Sequence, residues 1–292
     1  MKTFEEKYRE YQEVVEDALK EACNRFSDKS HTLKEAMIYS VTLGGKRVRP
    51  VILLAAADML GVKREDAMPF AVALELVHTY SLIHDDLPAM DNDDFRRGKP
   101  SNHKVFGEAH AVLAGDALLN AAYDICFEQC FKGERFVRAA KYLCEAAGDK
   151  GMIAGQSADI LYEKKESFTK EDLLFIYKHK TGKLLCAPFA IASVLADGRY
   201  FMELDEFGSS VGLLFQLTDD ILDEVGEFDA LGKTIGKDKK TGKLTCVKLY
   251  GLKQAEIEAD LCADACLFAL ERIDAETEFL KELIYFIRAR KK

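Results

Sequence analysis

The sequence has no tryptophan, only five prolines, and no stretch rich in proline, glycine and serine that would read as a linker. At 292 residues, the missing linker argues for a single domain over 1–292. The eight cysteines include no CxxC pair and no regular spacing. That excludes a disulfide framework or a zinc ribbon, and reads as reduced, mostly buried thiols. Basic residues are outnumbered, with 41 Lys and Arg against 50 Asp and Glu and a net charge of −9, which argues against a nucleic-acid partner. The longest apolar run, near Val51–Ala57, is too short to span a bilayer. The start, Met1-Lys2-Thr3-Phe4-Glu5-Glu6-Lys7, is polar and helical rather than a signal sequence. A cytoplasmic protein without membrane insertion is the expectation. No period-2 strand run appears either.

What is present reads almost throughout at helical period, so the expected class is all-α. Helices are predicted over ~4–26, His31–Leu43 (stopped by Gly44-Gly45), Pro50–Leu60, Glu65–Asp86, ~103–131 and ~134–162. Thr169 with Asp172 forms a capping box for a further helix that is interrupted near Thr181-Gly182. Tyr200–Val225 follows, then a Lys/Gly-rich loop over Gly226–Gly242 and two closing helices.

The chain is organised around Ser81-Leu82-Ile83-His84-Asp85-Asp86-Leu87-Pro88-Ala89-Met90-Asp91, continued by Asn92-Asp93-Asp94-Phe95-Arg96-Arg97-Gly98. Carboxylates this dense repel one another unless cations hold them. Hard oxygen donors suit Mg²⁺, which takes one or two carboxylates together with substrate phosphates. The two arginines match phosphate oxygens bidentately. A solvated acidic loop would explain this stretch alone. A second cluster, Phe215-Gln216-Leu217-Thr218-Asp219-Asp220-Ile221-Leu222-Asp223, removes that reading. Asp219 and Asp223 are four apart and share a helix face with Gln216. Two such clusters, each closing an apolar helix, point to one cavity with carboxylates on opposite walls and metal ions clamping a diphosphate.

Cations match these acids. Gly44-Gly45-Lys46-Arg47-Val48-Arg49-Pro50 places three of them between two helices, with glycines that let backbone approach an anion. His78 lies two helical turns before Asp85. Lys180-Thr181 interrupts an apolar helix, where a buried ammonium needs a partner. The lysines of Gly232-Lys233-Thr234-Ile235-Gly236-Lys237-Asp238 are placed to fold over an anion, although the spacing is not that of a Walker-type loop.

With GGKRxRP, DDx₄D, the Arg96-Arg97 pair, Gly155-Gln156 with Asp159, Lys180-Thr181 and Phe215-Gln216 before DDxxD, all in order, the chain resembles the trans-isoprenyl diphosphate synthases along nearly its full length. Within them it looks most like the bacterial-type farnesyl diphosphate synthases. Cys246, where the family often has Tyr, and Ser101, in place of a usual Thr, are departures. The resemblance implies the isoprenoid synthase fold, about ten core helices around a deep central cavity, in a homodimer. It implies a prenyltransferase that condenses isopentenyl diphosphate head to tail with dimethylallyl and then geranyl diphosphate. Three Mg²⁺ ions are implied, with Asp85, Asp91 and Asp219 as ligands and Asp86, Asp220 and Asp223 as ligands or their supports. Arg96 would hold the allylic diphosphate. Lys46, Arg49, His78 and Arg97 would hold isopentenyl diphosphate, and Lys180, Thr181, Gln216 and Lys233 would line the reacting centre.

Allylic ionisation leaves a diphosphate whose charge those cations neutralise. The motifs contain no general base, so the departed diphosphate itself is the implied proton acceptor. A terpene cyclase needs no second diphosphate site, and a non-catalytic partner subunit tends to lose an Asp motif. An α-helical scaffold would leave both clusters unexplained. Tyr80 and Ser81 precede Asp85 by five and four residues, which puts Tyr80 roughly 7–8 Å below the first acid on a helix. In the family an aromatic residue there goes with farnesyl as product. Small neighbours such as Ser81 keep geranylgeranyl diphosphate as the alternative.

Overall fold

The computed structural model describes residues 2–162, 165, 167–225 and 244–290. Lys233 and the Gly226–Gly242 loop, apart from their continuation at Leu244, lie outside the described residues. The fold is all-α, with one two-residue antiparallel ladder among the described residues. The chain divides after Ala140 into two compact units, taken in turn here.

The first unit runs from Met1 to Ala140. It contains α1 (Phe4–Asn24), α2 (His31–Thr42), α3 (Val48–Met59), α4 (Arg64–Asp85), α5 (Asn102–Phe106), α6 (Glu108–Cys130) and the start of α7 (Glu134–Ala147). Thr3 and Glu6 cap α1 reciprocally. The centre of the unit is α4, which packs on α3 and α6. It is apolar nearly all round, as a helix buried on every side must be, with Phe70, Leu74, Leu76 and Val77 fully buried. The stretch 103–131, expected as one helix, is two. Gly107, at φ +82, ends α5 and starts α6 in a conformation that L side chains rarely adopt. The ladder pairs Phe95–Arg96 (β1) with Lys99–Pro100 (β2). It turns through Arg97 and Gly98 at φ +52 and +74, the two positive angles of a type I′ hairpin.

The second unit, Lys141–Lys292, continues α7 and adds α8 (Met152–Tyr162), α9 (Lys170–Ile176), a π turn (Tyr177–Gly182), α10 (Lys183–Leu195) and α11 (Phe201–Val225). After the undescribed segment come α12 (Cys246–Tyr250), α13 (Leu252–Glu271) and α14 (Glu278–Arg288). The expected helix over 134–162 is divided between α7 and α8, with turns at 148–151. Here α11 has the central place, packed on α10 and α13. The interruption near Thr181-Gly182 is the π turn, a single wide turn inside an otherwise continuous helix. It coincides with two close backbone approaches, because a Cβ on Gly155 or Gly212 would strike the backbone of Lys180 or Gly182. Each unit thus centres on a buried helix whose C-terminal end carries an aspartate pair.

Candidate active site

In the first unit Asp85 is the last residue of α4 and Asp86 its C-cap. Carboxylates at a helix C-terminus face the negative end of the helix dipole, so they need cations. The loop beyond folds back on the helix. The Asp91 amide donates to the Asp85 carbonyl at 2.8 Å and the Asp93 amide to the Asp86 carbonyl at 3.1 Å, which satisfies carbonyls that a helix end leaves open. Asn92 takes φ +50 to make the return. The Leu87–Met90 stretch turns within the DDx₄D motif, with the Met90 amide donating to the Leu87 carbonyl at 2.9 Å, and Asp91 is brought back beside Asp85.

The hairpin separates the two arginines. Arg96 grips Asp86 through Nε, at 3.0 and 3.2 Å, and through Nη2, and reaches Asp93 at 3.6 Å. Arg97 points elsewhere and donates from Nη1 to the Gly44 carbonyl. Asp86, Arg96 and Arg97 line a small pocket together with Thr79, Leu82 and Asn102. Burial, reinforced by Arg49, Arg97, Arg96 and Arg47, holds His78 well below the ordinary imidazole range, so it is neutral at pH 7. Burial, then Arg47 and Arg96, lowers Arg97, with Glu75 and Glu16 opposing. Lys46 is exposed on the Gly44–Arg47 loop that Arg97 touches, and Arg49 is half-buried in the first turn of α3.

Tyr80 is buried at 5% exposure, and its ring meets His84 edge-on at 5.7 Å. Its hydroxyl is buried and makes no hydrogen bond. Burial, then Asp85, raises the phenol above its ordinary value. Tyr80 thus presents an essentially apolar surface one turn below the acids. The Ser81 hydroxyl is turned back to the His78 carbonyl at 2.8 Å.

In the second unit the acids sit on the last turns of α11. Asp220 is buried and accepts from the Tyr177 hydroxyl and from the Cys246 amide at 2.7 Å. Burial, then Asp220, raises the Tyr177 phenol far above its ordinary range, so Tyr177 keeps its proton and donates it. The Cys246 thiol is pushed up to about 12, by burial and then by Asp220. The Cys246 backbone amide makes the contact to Asp220 whatever the side chain, and also donates to the Tyr177 hydroxyl at 2.9 Å. Arg290 donates to Asp219 and lies 4.4 Å over the Phe215 ring. Lys180 pairs with the buried Asp159 of α8, and the Thr181 hydroxyl donates to the Gln216 amide oxygen at 2.5 Å. The π turn, α8 and α11 therefore bring together Lys180, Thr181, Gln216, Asp159 and the DDxxD motif.

Several residues here escaped sequence reading. Glu75 and Arg47 form a buried ion pair, which a lone acid inside the apolar run Phe70–Val77 could have signalled. Tyr177 is marked in the sequence only by nearness to Lys180. Nothing in the sequence points to Arg290.

Among the described residues no three His, Cys, Asp or Glu side chains converge on one point. The donors come instead as Asp85 with Asp91, linked by a backbone hydrogen bond, and as Asp219 with Asp223, one turn apart on α11. That is too few for an all-protein cage. It does fit a hard cation that keeps one or two carboxylates and completes its shell with phosphate oxygens and water.

The polyprenyl synthetase family model matches residues 30–280. A farnesyl diphosphate synthase of Geobacillus stearothermophilus is 42% identical over 288 residues, covering 96% of both chains. A chloroplastic geranylgeranyl pyrophosphate synthase of Capsicum annuum is 46% identical over 240 residues, 80% of this chain and 65% of that one. A solved geranyltransferase from Helicobacter pylori, complexed with magnesium and isoprenyl diphosphate, superposes with a TM-score of 0.84 at 33% identity, covering 96% and 94%. The chain belongs to the polyprenyl synthetase family and is a prenyltransferase.

Proposed function

We infer that the enzyme is a farnesyl diphosphate synthase, condensing isopentenyl diphosphate with dimethylallyl and then geranyl diphosphate. The observation that carries this reading is the division of two adjacent arginines by a hairpin, one toward the acidic end of α4 and one toward the loop that begins at Gly44 and carries Lys46. A condensing enzyme needs two diphosphate positions, one that drives ionisation and one that only holds. Residues 1–292 then work as a single catalytic domain.

In this reading Asp85, Asp91, Asp219 and Asp223 hold Mg²⁺, three ions when substrate is bound, while Asp86 and Asp220 support them through Arg96, Tyr177 and the Cys246 amide. Mg²⁺ bound there supplies neutralising charge to the diphosphate oxygens as the allylic C–O bond ionises. Arg96, set in place by Asp86, adds its guanidinium to the allylic diphosphate. Lys46, Arg49 and Arg97 bind the isopentenyl diphosphate, and neutral His78 offers it a hydrogen bond without competing for charge. The Thr181 hydroxyl and Gln216 amide oxygen turn negative dipole ends toward the allylic cation, and Lys180, fixed by Asp159, stabilises the departing charge. Lys233 belongs to the same set by family resemblance. The departed diphosphate takes the proton from C2 of the isopentenyl unit, so no protein base is required. Tyr80 closes the tail position and favours farnesyl over the geranylgeranyl product of the Capsicum relative.

The enzyme acts as a cytoplasmic homodimer. No described helix is long and apolar enough to cross a membrane. Along and just beyond α6, Leu113, Phe127 and Phe131 are 53, 64 and 95% exposed, an apolar stripe suited to a second copy. Incubation with labelled isopentenyl diphosphate and geranyl diphosphate tests the reading. Label should enter an allylic product only with Mg²⁺ present, and transfer that persists in excess chelator would refute it.

A further inference from the structure

The Gly44–Arg47 loop before α3 is held in a shape that a free chain would rarely adopt. Gly44, Gly45 and Arg47 take φ of +76, +133 and +51, and Arg47 is neither glycine nor asparagine, so its left-handed backbone must be imposed from outside. The holding groups form a regular set. On α1, Tyr8, Gln12 and Glu16 stand four residues apart and so share one face. The Tyr8 hydroxyl donates to the Lys46 carbonyl at 2.7 Å. The Gln12 amide donates to the Gly45 carbonyl at 2.8 Å. Glu16 accepts from Arg47 Nε at 2.7 Å and Nη2 at 3.3 Å. From the other side Arg47 donates to Glu75 at 2.8 Å and to the Val41 carbonyl at 2.6 Å, and Arg97 takes the Gly44 carbonyl. Each residue from Gly44 to Arg47 is therefore tied down, three of the four by α1. The remaining Glu75 oxygen is buried without a hydrogen-bond partner, so this pair cannot relax at no cost if Arg47 moves.

We infer that Tyr8, Gln12 and Glu16 of α1, a helix that precedes the stretch matched by the family model, are positioning residues that shape the loop bearing Lys46 and leading into Arg49, in the first turn of α3, for binding isopentenyl diphosphate. The inference rests on the assignment of Lys46 and Arg49 to that substrate. Their cations sit immediately beside the pinned backbone, so a small shift of the loop displaces both from the diphosphate. None of the three α1 residues need touch substrate.

The test is the double variant Tyr8→Phe/Gln12→Leu, with Lys46→Ala as a companion. Both α1 side chains are only half-buried, and the core residues of that helix, Val15 and Leu19, are left intact. Losing two neutral hydrogen bonds should raise KM for isopentenyl diphosphate roughly tenfold or more, at about fivefold for each bond. KM for geranyl diphosphate should stay within about twofold, and Glu16→Gln should move the same way. Calorimetric titration of isopentenyl diphosphate into metal-free protein should show the same weakening without turnover. If Lys46→Ala raises that KM and the double variant does not, the inference is wrong while the substrate assignment stands. A double variant that loses both substrates equally and melts earlier would show α1 to be a general support, which also overturns the inference. If Lys46→Ala leaves KM for isopentenyl diphosphate unchanged, the assignment fails and the positioning role falls with it.

Discussion

Replacing Arg96 and Arg97 separately with alanine should give two different enzymes, although the residues are neighbours. Asp86 is 3% and Arg96 13% exposed at the side chain. Arg96→Ala therefore strands a buried carboxylate at the negative end of α4. Breaking one half of such a pair costs about 3 kcal/mol, the lower end of the usual range because Arg96 retains some contact with water. For a chain of this size that is a fall in Tm on the order of 5–10 °C. Asp86→Ala in the same background should restore part of it, a coupling of about 2 kcal/mol in a double-mutant cycle. Arg97→Ala leaves only the Gly44 carbonyl without its donor, near solvent, and should cost about 1 kcal/mol or less. The catalytic effects should divide as well. Each lost charge-assisted phosphate contact is worth roughly 1.5–3 kcal/mol, or about 10- to 150-fold in KM. That loss should appear against the allylic substrate for Arg96→Ala and against isopentenyl diphosphate for Arg97→Ala. Thermal melts and steady-state kinetics with each substrate varied in turn measure all four quantities. An Arg96→Ala protein that melts like the parent, or two variants that raise both KM values alike, would refute the division of the hairpin.

Asp85→Ala or Asp219→Ala should lower kcat by several orders of magnitude, and Asp219→Ala should also lower Tm because it leaves the largely buried Arg290 guanidinium without this carboxylate; turnover close to the parent's in either would remove both motifs from the metal site. Tyr80→Ala should let farnesyl diphosphate be extended to geranylgeranyl and longer products, read by reverse-phase chromatography after dephosphorylation, and an unchanged product range would free Tyr80 of that role. His78 also predicts a pH dependence. Its folded value is depressed below the ordinary 6.5, so the unfolded chain binds the extra proton first as pH falls. Stability should be complete above about pH 6.5 and decline below it, and His78→Gln should flatten that decline in urea titrations, whereas equal slopes would place the dependence elsewhere.

Much of this was legible because helices announce themselves by period and caps. Thr169 with Asp172 and the Gly44-Gly45 stop could be read as local rules, and both recur in the structure. The places that misled were those where one glycine outweighs a continuous apolar pattern. Gly107 divides α5 from α6, and the turns around Gly148 and Gly151 divide α7 from α8. Helical spacing placed Asp219, Asp223 and Gln216 on one face, but it could not reveal that Asp86 is taken by Arg96 and Asp220 by Tyr177. Those partners lie ten and 43 residues away, and pairing at such separation is set by packing. The same holds for α1, whose stripe of Tyr8, Gln12 and Glu16 reads in sequence as an ordinary polar face.

The central claim is tested most directly by the product itself. Purified enzyme given labelled isopentenyl diphosphate, dimethylallyl diphosphate and Mg²⁺ should form geranyl diphosphate transiently and accumulate farnesyl diphosphate, with little further extension when farnesyl diphosphate is supplied as the starting allylic substrate. Accumulation of mainly geranylgeranyl diphosphate, or no condensation at all, would contradict it.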